Sequence, residues 1–378
     1  MESLEAMTQF GSAFKGKRVF VTGHTGFKGS WLCEWLLGLG AEVTGFSLAA
    51  KTDPALFEQL GLARRLRHII CDIQEPDLLT KAVVDSKPDF VFHLAAQALV
   101  RYSYAEPRET FQVNAIGTLN LLESLRKVKK PCAAILVTTD KCYQNREWHH
   151  GYREEDALGG RDPYSASKAA AELIIGSYRD SFFQDHATKI ASTRAGNVIG
   201  GGDWAKDRIV PDCISALQKG KPIPVRNRLA TRPWQHVLEP LSGYLWLAAS
   251  LAEPKLRRSE LTALTSAFNF GPNRDSNRTV AELVEEILKH WPGTWQDKTD
   301  PKAPHEAGLL QLSTDKAYAL LRWFPIWSFS EAVGATVDWY HAAEQFKGAK
   351  EFQKQTQAQI AQYVERAASV AAPWMTAS

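Results

Sequence analysis

Tyr164 and Lys168, four residues apart in the string YSASK, would lie on one face of a helix. An ammonium beside a phenol favours the phenolate, as does the positive charge of an oxidised nicotinamide, so this pair suits proton removal from an alcohol that is losing hydride. Upstream, TTDK at Thr138 to Lys141 follows the apolar run AAILV. Thr139 can hydrogen-bond a substrate hydroxyl and Tyr164. Asp140 and Lys141 are the unusual members. Loss of water requires one group to protonate a leaving hydroxyl and another to take a carbon-bound proton, and an acid beside an amine meets that need. A simple oxidation or reduction uses neither.

A third string, GHTGFKG at Gly23 to Gly29, follows the strand-like KRVFVT and leads into SWLCEWLLGLG, the strand, glycine loop and helix of a dinucleotide site. Gly23 makes the tight turn, Gly26 lets the backbone approach a pyrophosphate, and Gly29 allows close helix packing, with the helix N-terminus facing the anion. His24, Thr25 and Phe27 complete the loop. The acidic residue expected on the ribose about 20 residues further on is absent, because the second strand ends at Phe46, Ser47 and Leu48. Ser47 can bond a ribose hydroxyl, and no arginine follows immediately for a 2'-phosphate, which favours NAD over NADP. At the end of the third strand, Asp72 with Ile73 after it can accept from an adenine amino group or cap the Gln74 backbone. In HLAAQ, Leu94, Ala95 and Ala96 either pass close to the cofactor or serve as small packing residues. Thr138, Tyr164 and Lys168 belong to the cofactor set as well.

Parallel sheet elements must position these strings. From Lys15 to about Thr193, apolar runs alternate with amphipathic stretches, the pattern of an α/β fold with a doubly wound parallel sheet. Strands are expected at Arg18 to Thr22, Glu42 to Phe46, His68 to Cys71, Phe90 to His93, Ala133 to Thr138 and Lys189 to Thr193. Helices are expected at Gly26 to Leu39, Pro76 to Ser86, Arg108 to Val128 and Ser165 to Phe183. Beyond Asn197 the chain turns to glycine, proline and tryptophan-bearing loops, including GGGDW and RPWQH, where binding residues tend to sit. A dinucleotide domain over 15–195, a smaller substrate lobe over 196–350 and a C-terminal helix and tail over 351–378 follow. Some lobe segments should return to the main domain, notably a strand at Phe268 to Phe270. Lys350 to Ala368 reads as a polar amphipathic helix, solvated or in contact with another subunit.

The 378 residues are 44% apolar and 23% charged, an ordinary globular balance. A net charge of +3 with no basic block argues against nucleic acid or an anionic membrane as partner. Five cysteines without a CxxC pair suggest free thiols in a reducing cytosol and no metal site. The first residues lack the basic and apolar runs of a signal peptide, and no segment reads as a bilayer span.

The chain resembles the extended short-chain dehydrogenase/reductases, and within them the sugar-nucleotide 4,6-dehydratases, from about Lys15 to about Tyr340. GHTGFKG, HLAAQ, TTDKCY, PYSASK, TRAGNVIGGGDW and RPWQHVLEPLSGYL are similar to the CDP-glucose branch of that family. The resemblance implies a Rossmann-type fold with a C-terminal substrate lobe, NAD regenerated in each turnover, and CDP-glucose as substrate. It implies catalytic roles for Thr139, Asp140, Lys141, Tyr164 and Lys168. Substrate contacts are implied for Gln97, Asn197, Arg208, Arg226, Asn227, Arg232 and Glu306, and pairing into a homodimer or homotetramer through the helices Arg108 to Val128 and Ser165 to Phe183. It also implies deoxysugar supply for a bacterial surface polysaccharide. Lys141 stands where the thymidine-nucleotide branch has glutamate, so the carbon-5 base must be a neutral lysine or another group. His24 replaces a small residue and is expected to loosen the grip on the pyrophosphate. A 4-epimerase would normally have small residues in place of Asp140 and Lys141, and a catalytically silent dinucleotide sensor would lack Tyr164 or Lys168.

Overall fold

The computed structural model describes residues 7–299 and 309–377. Seven strands form one parallel sheet: β1 (Arg18–Thr22), β2 (Glu42–Ser47), β3 (Arg67–Ile70), β4 (Phe90–His93), β5 (Cys132–Val137), β6 (Thr188–Arg194) and β7 (Ala267–Asn269), in the spatial order β7-β6-β5-β4-β1-β2-β3. Every neighbouring pair is parallel. The sheet must therefore be covered on both faces, and the near-continuous apolar runs reflect this; every residue of β4 and of β5 is buried. The order reverses between β1 and β4, which places the topological switch point, and the crevice at its strand ends, beside the glycine loop.

The covering helices are α1 (Phe27–Gly38), α2 (Pro76–Ser86), α3 (Gly117–Leu125), α4 (Pro163–Tyr178), α5 (Ile209–Gln218), α6 (Leu238–Leu251), α7 (Phe329–Ala343) and α8 (Ala349–Ser369). Strand and helix positions agree with the expected ones to within a residue or two, apart from two helices. The helix expected from Arg108 to Val128 is instead a short helix Pro107–Phe111, a π-turn Gln112–Ile116 and then α3. The cause is Asn114. Its amide accepts from Gln97 N at 2.9 Å and donates to Gln97 O at 3.0 Å and Ser167 Oγ at 2.8 Å, which draws this turn toward the cleft. Likewise α4 ends at Tyr178 and continues as a π-turn through Phe183.

Beyond β6 the chain builds a lobe of two-stranded pairings: Val198–Ile199 with Gln235–His236, Thr231–Pro233 with Asn277–Thr279, and Ile223–Val225 with Trp295–Asp297. Here β7 returns to the main sheet beside β6, and α6 returns beneath β5. The expectation of a solvated or subunit-contact helix at the C-terminus is corrected. In α8, Thr356, Ile360, Tyr363 and Ala367 are buried at helical spacing, and Tyr363 Oη donates to buried Glu239 at 2.8 Å while Gln357 donates to Glu34. A low mean hydropathy conceals a narrow stripe that seals α8 against α1 and α7.

Candidate active site

A cleft of about 1970 Å³ runs along the carboxyl ends of the strands, between the sheet and the lobe. The glycine loop forms its floor. Gly23 has φ of 73°, and a Cβ there would strike the backbone of Ala95, while a Cβ on Gly29 would overlap the carbonyl of Gly23. Gly26 is the N-cap of α1; no side chain caps the first turn and no acid lies in it, so an anion has access to its amides. Thr25 Oγ1 bonds Ser47 Oγ at 2.9 Å and Leu48 O at 2.9 Å, tying the loop to the end of β2. These residues fit the pyrophosphate and ribose of a dinucleotide. Phe27, Ile73, Leu94, Ala95 and Ala96 line the same stretch.

Two loop expectations change. His24 is fully buried and turned away from the cleft: its Nε2 lies 2.7 Å from His68 Nδ1, its ring meets Phe57 edge-on, and it occupies the space left by Gly45. Its bulk is absorbed under β2 and β3 and does not crowd the anion. Burial, with His68 nearby, pushes its pKa down to about 4, so it packs as a neutral ring. Asp72 lines the cleft, yet one of its oxygens accepts from Gln74 N at 2.9 Å, so capping and a cleft position coexist.

The catalytic strings meet at the ends of β5 and α4. Asp162 caps α4 by accepting from Ser165 N at 3.0 Å and Pro163 opens its first turn, which sets Tyr164 at the helix start facing the cleft. One turn on, Lys168 Nζ donates to Val137 O at 3.3 Å. After β5 the chain makes a short 3₁₀ turn over Asp140–Cys142, and Thr139 Oγ1 donates to Asp140 Oδ1 at 3.0 Å and also hydrogen-bonds Tyr164. Lys141 Nζ lies 3.6 Å from the same Asp140 oxygen. Asp140 is wholly buried, and its other oxygen has no partner among the described residues. Thr138, Thr139, Asp140, Lys141, Tyr164 and Lys168 all line the cleft.

Electrostatics refine the expected phenolate. Burial pushes Tyr164 up to about 12, with Thr139 opposing, so Lys168 by itself does not ionise the phenol. Burial also draws Lys168 down to about 8, against the pull of Glu172 one further turn along α4. Glu172 was missed in the sequence, although its spacing from Lys168 repeats that of Lys168 from Tyr164. It accepts from Thr138 Oγ1, Ser192 Oγ and Arg194; burial alone would raise its pKa, but the Arg194 guanidinium and these hydrogen bonds hold it below the usual carboxylate range. A charged network thus lies beneath the tyrosine and lysine.

On the lobe side, Asn197, Arg208, Arg226, Asn227 and Arg232 all line the cleft. Arg208 pairs with Asp203 at 2.8 Å, and Arg226 with Asp207 and Asp212. Asn197 has φ of 39° and a buried Oδ1 without a partner among the described residues. Arg232 is buried and donates to Thr231 O, and Asn227 Oδ1 accepts from Ala230 N. Gln97 lines the cleft too, and its side chain bonds Thr110 Oγ1, Leu99 O and Leu99 N, which props the loop before Asn114. Glu306 lies outside the described residues. Lys28 and Tyr244 were also passed over. Both lie inside strings already noted, GHTGFKG and RPWQHVLEPLSGYL, but neither was given a role.

Among relatives, the CDP-glucose 4,6-dehydratase of Salmonella typhimurium is 45% identical over 335 residues, covering 87% of this chain and 92% of that protein. A dTDP-glucose 4,6-dehydratase of Xanthomonas campestris is 26% identical, covering 85% and 92%. Of solved structures, DesIV from Streptomyces venezuelae, a dTDP-glucose 4,6-dehydratase with NAD bound, aligns with a TM-score of 0.72 at 23% identity, over 86% of this chain and 97% of its own. The UDP-glucose 4-epimerase of Thermus thermophilus in complex with NAD also gives 0.72, at 26% identity over 86% and 99%. Epimerases and dehydratases share this architecture, so overall shape does not separate them. By sequence, the model describing GDP-mannose 4,6 dehydratase matches residues 20–336, from β1 into α7, and the chain belongs to that family.

Proposed function

We propose that this protein is an NAD-dependent hydro-lyase that converts CDP-glucose to CDP-4-keto-6-deoxyglucose and water. The reading is carried by one observation: a buried acid and an amine 3.6 Å apart open onto the cleft that holds the tyrosine and lysine of an alcohol oxidation site. The 45% identity to a CDP-glucose 4,6-dehydratase supports the nucleotide assignment.

NAD would be held by the Gly23 to Gly29 loop, Thr25, Ser47 and Asp72; bound there, it would supply a hydride acceptor for carbon 4, a hydride donor for carbon 6 and a positive charge favouring ionisation of the Tyr164 phenol. Tyr164 takes the proton of the 4-hydroxyl, with Lys168 held as a cation by Glu172. The resulting ketone acidifies the hydrogen at carbon 5. Lys141 removes that hydrogen as a proton while Asp140 protonates the leaving 6-hydroxyl. Lys141 then returns its proton to carbon 5. The proton left on Tyr164 passes through the Thr139 hydroxyl to Asp140, since Thr139 bonds both. Each side chain is thereby restored, and the released water contains one proton equivalent from the 4-hydroxyl. Arg208 and Arg232 are assigned to the substrate diphosphate, and Arg226, Asn227 and Asn197 to the nucleoside end and its linkage.

We infer a cytoplasmic enzyme of deoxysugar supply for a surface polysaccharide, because all five cysteines are free and four are buried. A homodimer or homotetramer is supported by the exposed apolar residues Phe111, Ile116, Leu173 and Phe182 on the helices around α3 and α4.

Incubation of the purified protein with NAD and CDP-glucose tests the reading: mass spectrometry should show loss of one water and alkali should develop the absorbance of a 4-keto sugar. An isomerised sugar of unchanged mass would identify an epimerase, and no conversion of any nucleotide sugar a sensor.

A further inference from the structure

Lys28 is the second residue of α1, and its half-buried side chain enters the cleft from the glycine loop. Its amine lies 3.4 Å from Tyr244 Oη and 5.6 Å from the centre of that ring. Tyr244 is buried on α6, so this contact joins the cofactor loop to the helix that passes beneath β5. The groups whose charge acts on the Lys28 amine are Lys168 from α4, Arg208 from the residue before α5, and Asp140 from the end of β5. Two of the three are cations. Unlike Arg208 and Arg226, Lys28 has no carboxylate within ion-pair distance among the described residues. This amine therefore sits beside two cations of the cleft, next to the chemistry, and the mechanism above does not use it.

We propose that Lys28 is a further substrate-binding residue: as the diphosphate of the nucleotide sugar enters the cleft, the amine pairs with that anion. The inference rests on the nucleotide-sugar reading above. Burial, with Lys168 and Arg208, depresses the amine to about 7 despite Asp140, so near neutrality it is poised between its two forms. An arriving dianion reverses the local potential and draws the proton on. An arginine in this place would be charged at all times and would bind the anion without proton exchange. The lysine couples occupancy of the cleft to its own charge.

Calorimetric titration with CDP, in buffers of different ionisation enthalpy at pH 7, tests this directly. The native protein should take up about half a proton per CDP bound. Its affinity should fall about tenfold from pH 6 to pH 8.5. Lys28→Met should bind CDP about tenfold more weakly at pH 6, with much of the uptake and of the pH dependence gone. Lys28→Arg should restore affinity without restoring proton uptake. Equal proton uptake by the native protein and Lys28→Met, or unchanged CDP affinity in Lys28→Met, overturns the proposal. Should the native protein ignore CDP and bind UDP or dTDP instead, the substrate assignment fails, and the same titration with that nucleotide still decides the role of Lys28.

Discussion

Asp140 and Gly196 share one volume: a Cβ on residue 196 would overlap the unpartnered oxygen of the Asp140 carboxyl. The acid of the site is thus seated by a glycine from the end of β6, whose carbonyl is in turn held by Gln235 Nε2 at 3.0 Å. Gly196→Ala should displace the carboxyl and lower kcat by about 10²-fold, the usual effect of a misplacement near 1 Å. KM for CDP-glucose should change little. Steady-state kinetics with a thermal melt check this, and native kcat in a folded variant would refute the seating role.

Tyr164→Phe and Lys141→Ala should fail at different steps. The first removes the alcohol base, so no reduced nicotinamide should form on mixing with CDP-glucose. The second should still form it, seen as a transient absorbance in stopped flow, and then stall before water is lost. Each should lower turnover by about 10²-fold or more. Dehydration at the native rate by Lys141→Ala would move the carbon-5 base elsewhere.

Glu172→Gln removes the carboxylate that supports the Lys168 cation and leaves the Arg194 guanidinium buried without its partner. The Lys168 pKa, about 8 in the native protein, should fall further. The alkaline limb of the kcat/KM profile then shifts to lower pH. Loss of the Arg194 pair should also destabilise the fold by about 3 kcal/mol. An unshifted alkaline limb would confine Glu172 to a structural role.

Glu239 on α6 accepts from Ile326 N, Trp327 N and Tyr363 Oη in the core, and burial pushes its carboxyl up to about 7 in spite of them. A folded pKa above the unfolded value near 4.5 means that the contribution is complete below pH 4.5 and is lost as pH rises to about 7. The span corresponds to about 3 kcal/mol. Glu239→Gln should flatten the decline in denaturation free energy over that window, and an unaltered slope would show that other groups cause it.

Much of the main sheet was legible because its signals are local. Strand β1, the glycine loop and α1 are contiguous, and Asp162, Pro163 and Tyr164 announce the start of α4 in three consecutive residues. The π-turn at Gln112–Ile116 was not legible, because its cause is a bond from Asn114 to Ser167, 53 residues away. The packing of α8 was obscured for a related reason. Its buried stripe includes Thr356 and Gln359, whose partners Trp339 and Ala335 become neighbours only after folding.

The amino-acid sequence by itself determined the parallel sheet, the dinucleotide loop and the pairing of an oxidation dyad with an acid and an amine, since each is written in residues close together along the chain. Only the tertiary structure decided where the charges act. Folding turned His24 out of the cleft, set Arg194 against Glu172 and brought Lys28 to Tyr244, 216 residues away. Side-chain direction and dielectric surroundings depend on packing between distant segments, and proton affinity follows from both.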